Sequence, residues 1–457
     1  MVGNRAHDMP VLIFGNWGAY VLAVCMLIQP LSAFGIDLLE VYRQAHDFDP
    51  TYKTAGYAYA SVRQKIPQAR AGLLPVLSLI GGQNQTKAES KFSNTPQVNR
   101  DVKAWNWSLK LTQPLLRMQN IYAYSAAELL VTQAHAQFAQ SEQDLILRVA
   151  QAYFDILVAQ ENIDVALAQI RSTDEQLELA KHGFDAGINA VTDVYEAKSR
   201  ASLAQAEHVA ALNELEVKQA ELEKMLVQAP KALDALQSTV VIPRPQPDNV
   251  QSWVEQARES NPAVLASVAA VAASRAEISK NLAGHLPIVD LEASYGNNYF
   301  SGSVSTPSDF EMRSNSAKLG IQLTVPIFAG GATSSKVIEA VANKNKAESE
   351  LEVARRQAAT DAKKAYAAIV NGQVKIKALE SAVESGKSAV DGNSAAYKLG
   401  IHMNIDVLNA EQQLYAAQRD LIKARYDTLF QGFKLKAAAG ALSDLDVALV
   451  NKMLSRR

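Results

Sequence analysis

The chain is written twice. Asp49-Pro50 recurs as Asn261-Pro262, Leu74-Pro75-Val76 as Leu286-Pro287-Ile288, and Leu111-Thr112-Gln113-Pro114-Leu115 as Leu323-Thr324-Val325-Pro326-Ile327. Each pair of prolines is 212 positions apart, the difference between 262 and 50, between 287 and 75, and between 326 and 114. Further on, Phe184-Asp185-Ala186-Gly187 with Asp193-Val194 returns as Tyr397-Lys398-Leu399-Gly400 with Asp406-Val407, and the difference between 400 and 187 is 213. One inserted residue separates the two registers. A period this long is too large for a solenoid repeat, so a whole strand-and-helix unit has been duplicated, and the fold must accommodate two copies of it.

The duplication assigns 34–228 to a first repeat, 229–248 to a linker, 249–440 to a second repeat and 441–457 to a tail. Length alone would suggest two or three domains, and an apolar content of 48% is enough to bury a large core. A formal net charge of −2 leaves no electrostatic footprint for nucleic acid, which is not expected as a partner.

Residues 1–33 read as a signal peptide: Arg5, then the apolar run Ala19 to Ile28, then small residues at Ser32-Ala33. Asn16 and Gln29 leave that run short for a membrane span of about 20 residues. Cys25 is the only cysteine, and Val24 stands where a lipoprotein signal requires a small residue, so the mature chain is expected to lack thiols. No later segment supplies the run of about 18 apolar residues that a spanning helix needs.

From Ile121 to His182 there is neither proline nor glycine, and Val149, Ile156, Ile163, Ile170 and Leu177 fall at heptad spacing, each followed three residues later by Ala152, Ala159, Ala166, Thr173 or Ala180. The pattern predicts a long coiled-coil helix, roughly 90 to 100 Å at 1.5 Å per residue. The second copy repeats it from Ala362 to Val390, with Gly372 and Gly386 among its small positions. Shorter helices are expected after the Gly187 and Gly400 turns, over 193–227 and 406–439, and ahead of the strands, over 36–71 and 250–283.

Each copy also predicts two strands, at about 76–85 and 104–114, and at about 288–297 and 317–327, joined by polar loops. In Trp105-Asn106-Trp107-Ser108-Leu109-Lys110-Leu111-Thr112, Trp105, Trp107, Leu109 and Leu111 share one face, and Leu319, Ile321 and Leu323 do the same in copy two. The alternation suits a lipid-facing barrel strand, and equally a soluble sheet over a core. Export and the long polar loops favour the barrel. Four strands cannot close one, and open edges are not tolerated in lipid, so the chain must oligomerise: two copies give eight strands and a filled barrel, three give twelve and room for a channel.

No constellation in the sequence competes with transport. The seven histidines are scattered, without metal-site spacing, so no metal, cofactor or catalytic residue is expected and the chain is not an enzyme. Gly386-Lys387-Ser388 mimics the end of a phosphate loop, but the earlier glycine is replaced by Ser381 within the heptad run. A pore-less periplasmic coiled-coil scaffold explains the heptads but not the amphipathic strands.

The doubled unit, the Leu-Thr-X-Pro strand ends, Trp253-Val254-Glu255-Gln256-Ala257 before Asn261-Pro262, and Lys434-Leu435-Lys436-Ala437-Ala438-Ala439-Gly440 resemble the TolC family of outer-membrane channel proteins from about Ile36 to Leu442. That resemblance implies an α+β, mainly α membrane protein: a homotrimer whose twelve-stranded barrel in the outer membrane of a Gram-negative bacterium continues as a periplasmic coiled-coil α-barrel. It implies as partners a periplasmic adaptor and an inner-membrane ABC transporter or RND-type pump. The absence of a lipidation cysteine points to the exit ducts of type I protein secretion, with multidrug efflux as the alternative. The resemblance further places Gly187 and Gly400 at the periplasmic tip, matches Tyr397 and Asp193 to a linking pair with Thr192 beside it, sets His402 where a linking arginine is usual, and makes Asp406 and Asn409 pore-lining positions usually held by acids. Here histidine replaces a permanent cation by an imidazole, a group that ordinarily titrates near pH 6.5, and asparagine removes a charge from each copy.

Overall fold

The computed structural model describes residues 36–91, 93–94, 96–188, 190–226, 233–237, 240, 242–303 and 310–455. The signal peptide expected over 1–33, with Cys25, lies outside the described residues, as does part of the linker.

The first copy runs α1 (Leu38–Phe48), α2 (Pro50–Arg63), α3 (Lys65–Ala71), β1 (Val76–Ser90), β2 (Val98–Leu116), α4 (Met118–Asp185) and α5 (Val191–Glu223). A short β3 (Ala235–Leu236) follows. The second copy runs α6 (Val250–Ser260), α7 (Pro262–Leu282), β4 (Ile288–Ser301), β5 (Glu311–Thr324), α8 (Ala332–Lys398) and α9 (Asn404–Ala438), before α10 (Asp444–Asn451) and β6 (Leu454–Ser455). With 68 and 67 residues, α4 and α8 are each about 100 Å long.

The opening segments are not single helices. Each breaks where a residue with extended ψ precedes proline, at Asp49 (φ −59°, ψ 118°) and at Asn261 (φ −60°, ψ 130°). Proline has no N–H to donate and crowds the residue before it out of the helical region. Both break residues restart the chain as N-caps: Asp49 accepts from the Thr51 and Tyr52 amides at 3.3 and 3.1 Å, and Asn261 from the Ala263 amide at 2.9 Å. In the first copy that cap is also an ion pair, because the Arg148 guanidinium on α4 bonds the buried Asp49 carboxylate.

The four long strands form one antiparallel sheet in the order β1-β2-β4-β5, so the two hairpins join along β2 and β4, with Leu109 opposite Tyr295 and Leu111 opposite Ala293. The strands reach further than their apolar stretches. β1 continues to Ser90 and β2 starts at Val98, through polar sequence that reads as loop. There the ladder is supported by polar cross-strand bonds such as Gln85 Nε2 to Asp101 at 2.9 Å and Gln97 Nε2 to Glu89 at 2.8 Å, which leave no hydrophobic signature. Conversely β5 ends at Thr324, ahead of Pro326, whereas β2 carries Pro114 through a register shift before Leu116.

Trp105, Trp107, Leu109 and Leu111 lie on one face with Leu77, Leu79, Leu291, Tyr295, Leu319, Ile321 and Leu323, as the strand register requires. Among the described residues no helix covers that face: Trp105 and Trp107 are each 39% exposed and Leu319 is 78% exposed. The opposite face carries Asn106, Ser108, Lys110 and Gln322, and Lys110 pairs with Glu292 across the sheet at 3.0 Å. An uncovered apolar face backed by a polar one is the arrangement of a barrel wall in lipid rather than of a sheet over a core.

The largest core lies halfway along α4. Leu145, Val149, Tyr153, Phe154 and Leu157 pack there against α1, the end of α5, Tyr426 and Phe433 of α9, and Val447 of α10. Tyr153 donates its hydroxyl hydrogen to the Asp234 carbonyl at 2.8 Å, which ties the linker to this belt, and β3 pairs with β6 beside it. A second core sets Trp253, Val254 and Val264 against Ala358, Ala362 and Ile369 of α8 and Leu435 of α9.

Candidate functional site

The α4–α5 and α8–α9 hairpins bring their turns to one end of the molecule. Gly187 (φ +69°) and Gly400 (φ +72°) occupy the left-handed conformation that favours glycine. In each turn the residue after glycine bonds back to the helix, Ile188 N to Gly183 O at 2.8 Å and Ile401 N to Ala396 O at 2.9 Å. Both are Schellman endings, set by the glycine and following isoleucine that the two copies share. Ala180 and Ala197 of the first hairpin bury Leu408 of the second between them, so the two tips pack side by side.

On this end, Thr192 and Asp193 lie in the first turn of α5, Tyr397 in the last turn of α8, His402 in the second turn, and Asp406 and Asn409 in the first two turns of α9. Asp193 accepts from the Ala190 amide at 3.3 Å and Asp406 from the Met403 amide at 3.2 Å, each closing its own helix start. The Asp406 carboxylate also stands 3.8 Å from His402 Nδ1, with both side chains well exposed. Asn409 accepts from Arg200 Nη2 at 3.0 Å, and the same guanidinium bonds Gln412, so α5 of copy one is tied to α9 of copy two.

Sequence reasoning missed Arg200 and the polar residues deeper between the hairpins. Arg419 Nη1 reaches Gln169 at 3.0 Å and Glu207 at 3.3 Å. Ser172 Oγ donates to Glu411 Oε1 at 2.6 Å, and Glu411 is only 3% exposed. A signal was present: Asn404 and Glu411, seven apart, interrupt the apolar stripe of Val407, Leu408 and Leu414 on α9. Around the turns themselves, Ile188, Leu399, Ile401 and Met403 are exposed apolar side chains.

Among the described residues no group of histidine, cysteine, aspartate and glutamate could hold a metal ion, and no helix is long and apolar enough to cross a membrane. The site consists of helix tips tied together by hydrogen bonds between the two hairpins.

The outer membrane efflux protein family model matches residues 41–227 and 253–441, one segment in each copy. Outer membrane protein TolC of Vibrio cholerae is 31% identical, covering 91% of this chain and 93% of that protein. The alkaline protease secretion protein AprF of Pseudomonas aeruginosa is also 31% identical, covering 94% and 90%. Among solved structures, the Campylobacter jejuni CmeC outer membrane channel superposes with a TM-score of 0.78 over 99% of this chain and 98% of that one, at 16% identity. Because these matches run through both copies, the sheet and both helical hairpins, the chain belongs to the outer membrane efflux protein family and is an outer-membrane channel with a long periplasmic helical portion.

Proposed function

We propose that the chain is one third of a trimeric exit duct for type I, ABC-transporter-driven protein secretion. The observation that carries the assembly is the sheet: among the described residues β1 and β5 each have a single partner, leaving two open edges beneath an uncovered apolar face. In lipid those edges must be paired, and pairing them between three chains gives a twelve-stranded barrel wide enough for passage. The polar face with its Lys110–Glu292 pair then lines the lumen.

The similarity to a protease secretion protein at 31% identity over 94% of the chain supports protein cargo. Efflux of small molecules is the second reading, favoured by the description of the matching family model. The exposed apolar side chains at Ile188, Leu399, Ile401 and Met403 suit the docking of a periplasmic adaptor, which would join the duct to its inner-membrane transporter. In this reading Thr192, Asp193, Tyr397 and His402 hold the tip closed, and Asp406 and Asn409 line the constriction. Deleting the chain in the producing cell should abolish appearance of the secreted proteins in the medium, while sensitivity to small toxic compounds changes little. The reverse result would assign the duct to efflux.

A further inference from the structure

Glu411 lies on the face of α9 that packs against α4, between Leu408 and Leu414, with 3% of its surface exposed. The two donors that reach it, Ser172 Oγ at 2.6 Å and Gln176 Nε2 at 3.3 Å, both go to Oε1. Among the described residues Oε2 is buried without a partner, and so is Oε1 of Gln176. The site is rich in acceptors and short of donors. No cation bonds the carboxyl either. On α5, Arg200 is committed to Asn409 and Gln412, while Glu207 is bonded by Arg419 of α9, which also holds Gln169 of α4. On α4 the nearby acid is Glu175 and the nearby base is Arg171, which faces Tyr415 of α9, whose own hydroxyl bonds the Ala168 carbonyl. From α8, Gly386 packs against Leu414 of this stretch.

We infer that Glu411 binds a proton while the two hairpins are packed, and that loss of this proton loosens α9 from α4. The inference rests on the reading of the tip as a gate. A neutral carboxyl turns Oε2 from an unsatisfied acceptor into a donor, whereas an anion there is desolvated without a counter-charge. Burial pushes the Glu411 carboxyl above the usual carboxylate range, the hydrogen bonds from Ser172 and Gln176 draw it back only in part, and Glu175 adds to the rise. The sign follows. The packed state holds the proton more tightly than a parted, hydrated one, so packing is favoured as pH falls. Opening gains upward from the ordinary glutamate value of about 4.3 until the raised value is passed. Across that window each pH unit multiplies the parted fraction by up to about tenfold per chain.

The test uses the purified full-length trimer in planar bilayers from about pH 5 to about pH 8, in a His402→Gln background that removes the nearby imidazole. Conductance should rise with pH, Glu411→Gln should stay at the low-pH level, and Ser172→Ala should move the midpoint to higher pH by removing a bond that favours the anion. An infrared difference spectrum between the two ends of the pH range reads the carboxyl independently of gating: its protonated-carboxyl band should be weakened by Glu411→Gln and move with pH in Ser172→Ala. A Glu411→Gln trimer with an unchanged pH response, or with an unchanged carboxyl band, overturns the inference. A band that titrates as expected while conductance stays flat in every variant overturns the coupling and the gate reading together, and leaves only the proton on Glu411. If Glu411→Gln fails to assemble, the Ser172→Ala midpoint decides by itself, an unmoved midpoint being the overturning result.

Discussion

Gly440 stands in the left-handed conformation (φ +68°) directly against Ser260, so close that a Cβ at position 440 would overlap the Ser260 carbonyl oxygen. The end of α9 is thereby docked onto the joint between α6 and α7, where Asn261 Nδ2 also bonds the Ala438 carbonyl at 3.0 Å. This contact gives a physical reason for the glycine that ends the Lys434 to Gly440 motif. Gly440→Ala must both adopt an unfavourable φ, at about 1 to 2 kcal/mol, and push apart the second core. The expected outcome is a trimer that dissociates at clearly lower temperature in detergent. An unaltered dissociation temperature would mean that the joint yields freely.

Asp49 offers a comparison that the duplication itself supplies. Its counterpart Asn261 caps the same helix start without a charge, and the residue 213 positions beyond Arg148 is Asp361. Burial alone would raise the Asp49 carboxyl, but the hydrogen bond and charge of Arg148 and the Thr51 and Tyr52 amides outweigh it and hold it below the usual carboxylate range. Asp49→Asn should keep the cap and lose the ion pair, costing about 1.5 to 3 kcal/mol. Because the folded value is depressed, the wild-type advantage is present above the ordinary aspartate value of about 3.9 and disappears as pH falls through the folded one. Urea denaturation of both forms at neutral and at acid pH checks this, the two curves converging only in acid.

What could be read from the chain before folding divides along physical lines. Pro50, Pro262, Gly187 and Gly400 act through their own backbone, so their breaks and turns are visible locally, twice over. The apolar face of Trp107 and Leu109 is visible because alternation reports side, but not what covers the side. That required the sheet to be seen uncovered. The outer halves of β1 and β2 were hidden because a strand held by polar cross-strand bonds looks like a loop. Arg148 with Asp49, and Ser172 with Glu411, pair residues 99 and 239 positions apart, which no local pattern encodes. Only the misplaced acid on the α9 stripe hinted at the second pair.

The two faces of the sheet should respond differently to charge. Leu109→Arg or Leu323→Arg puts a guanidinium among exposed apolar side chains and should cost about 2 to 4 kcal/mol if the position lies near the bilayer midplane. Gln322→Arg points the same group to the polar face, opposite Asp290, and should be tolerated. Yield of folded trimer after refolding into lipid measures both. Equal damage on the two faces would argue for a sheet that packs on protein instead.

Asp406 carries the most direct test of the constriction. Three copies around a narrow end would set like charges in a confined, poorly screened space and draw cations into it. With asparagine at 409 bonded to Arg200, Asp406 is the acid left to do so on this turn of α9. Asp406→Ala should therefore lower cation over anion permeability and relieve block by multivalent cations. It also removes the carboxylate that accepts from the Met403 amide and stands beside His402, but both are exposed, so the stability cost should stay at about 0.5 to 1 kcal/mol. Asp193→Ala removes the equivalent bond from Ala190 in the first copy and, with Asp193 assigned to the closed tip, should raise conductance without lowering cation over anion permeability. If Asp406→Ala leaves reversal potentials and block unchanged in planar-bilayer recordings, the carboxylate only closes the start of its helix and faces away from the passage.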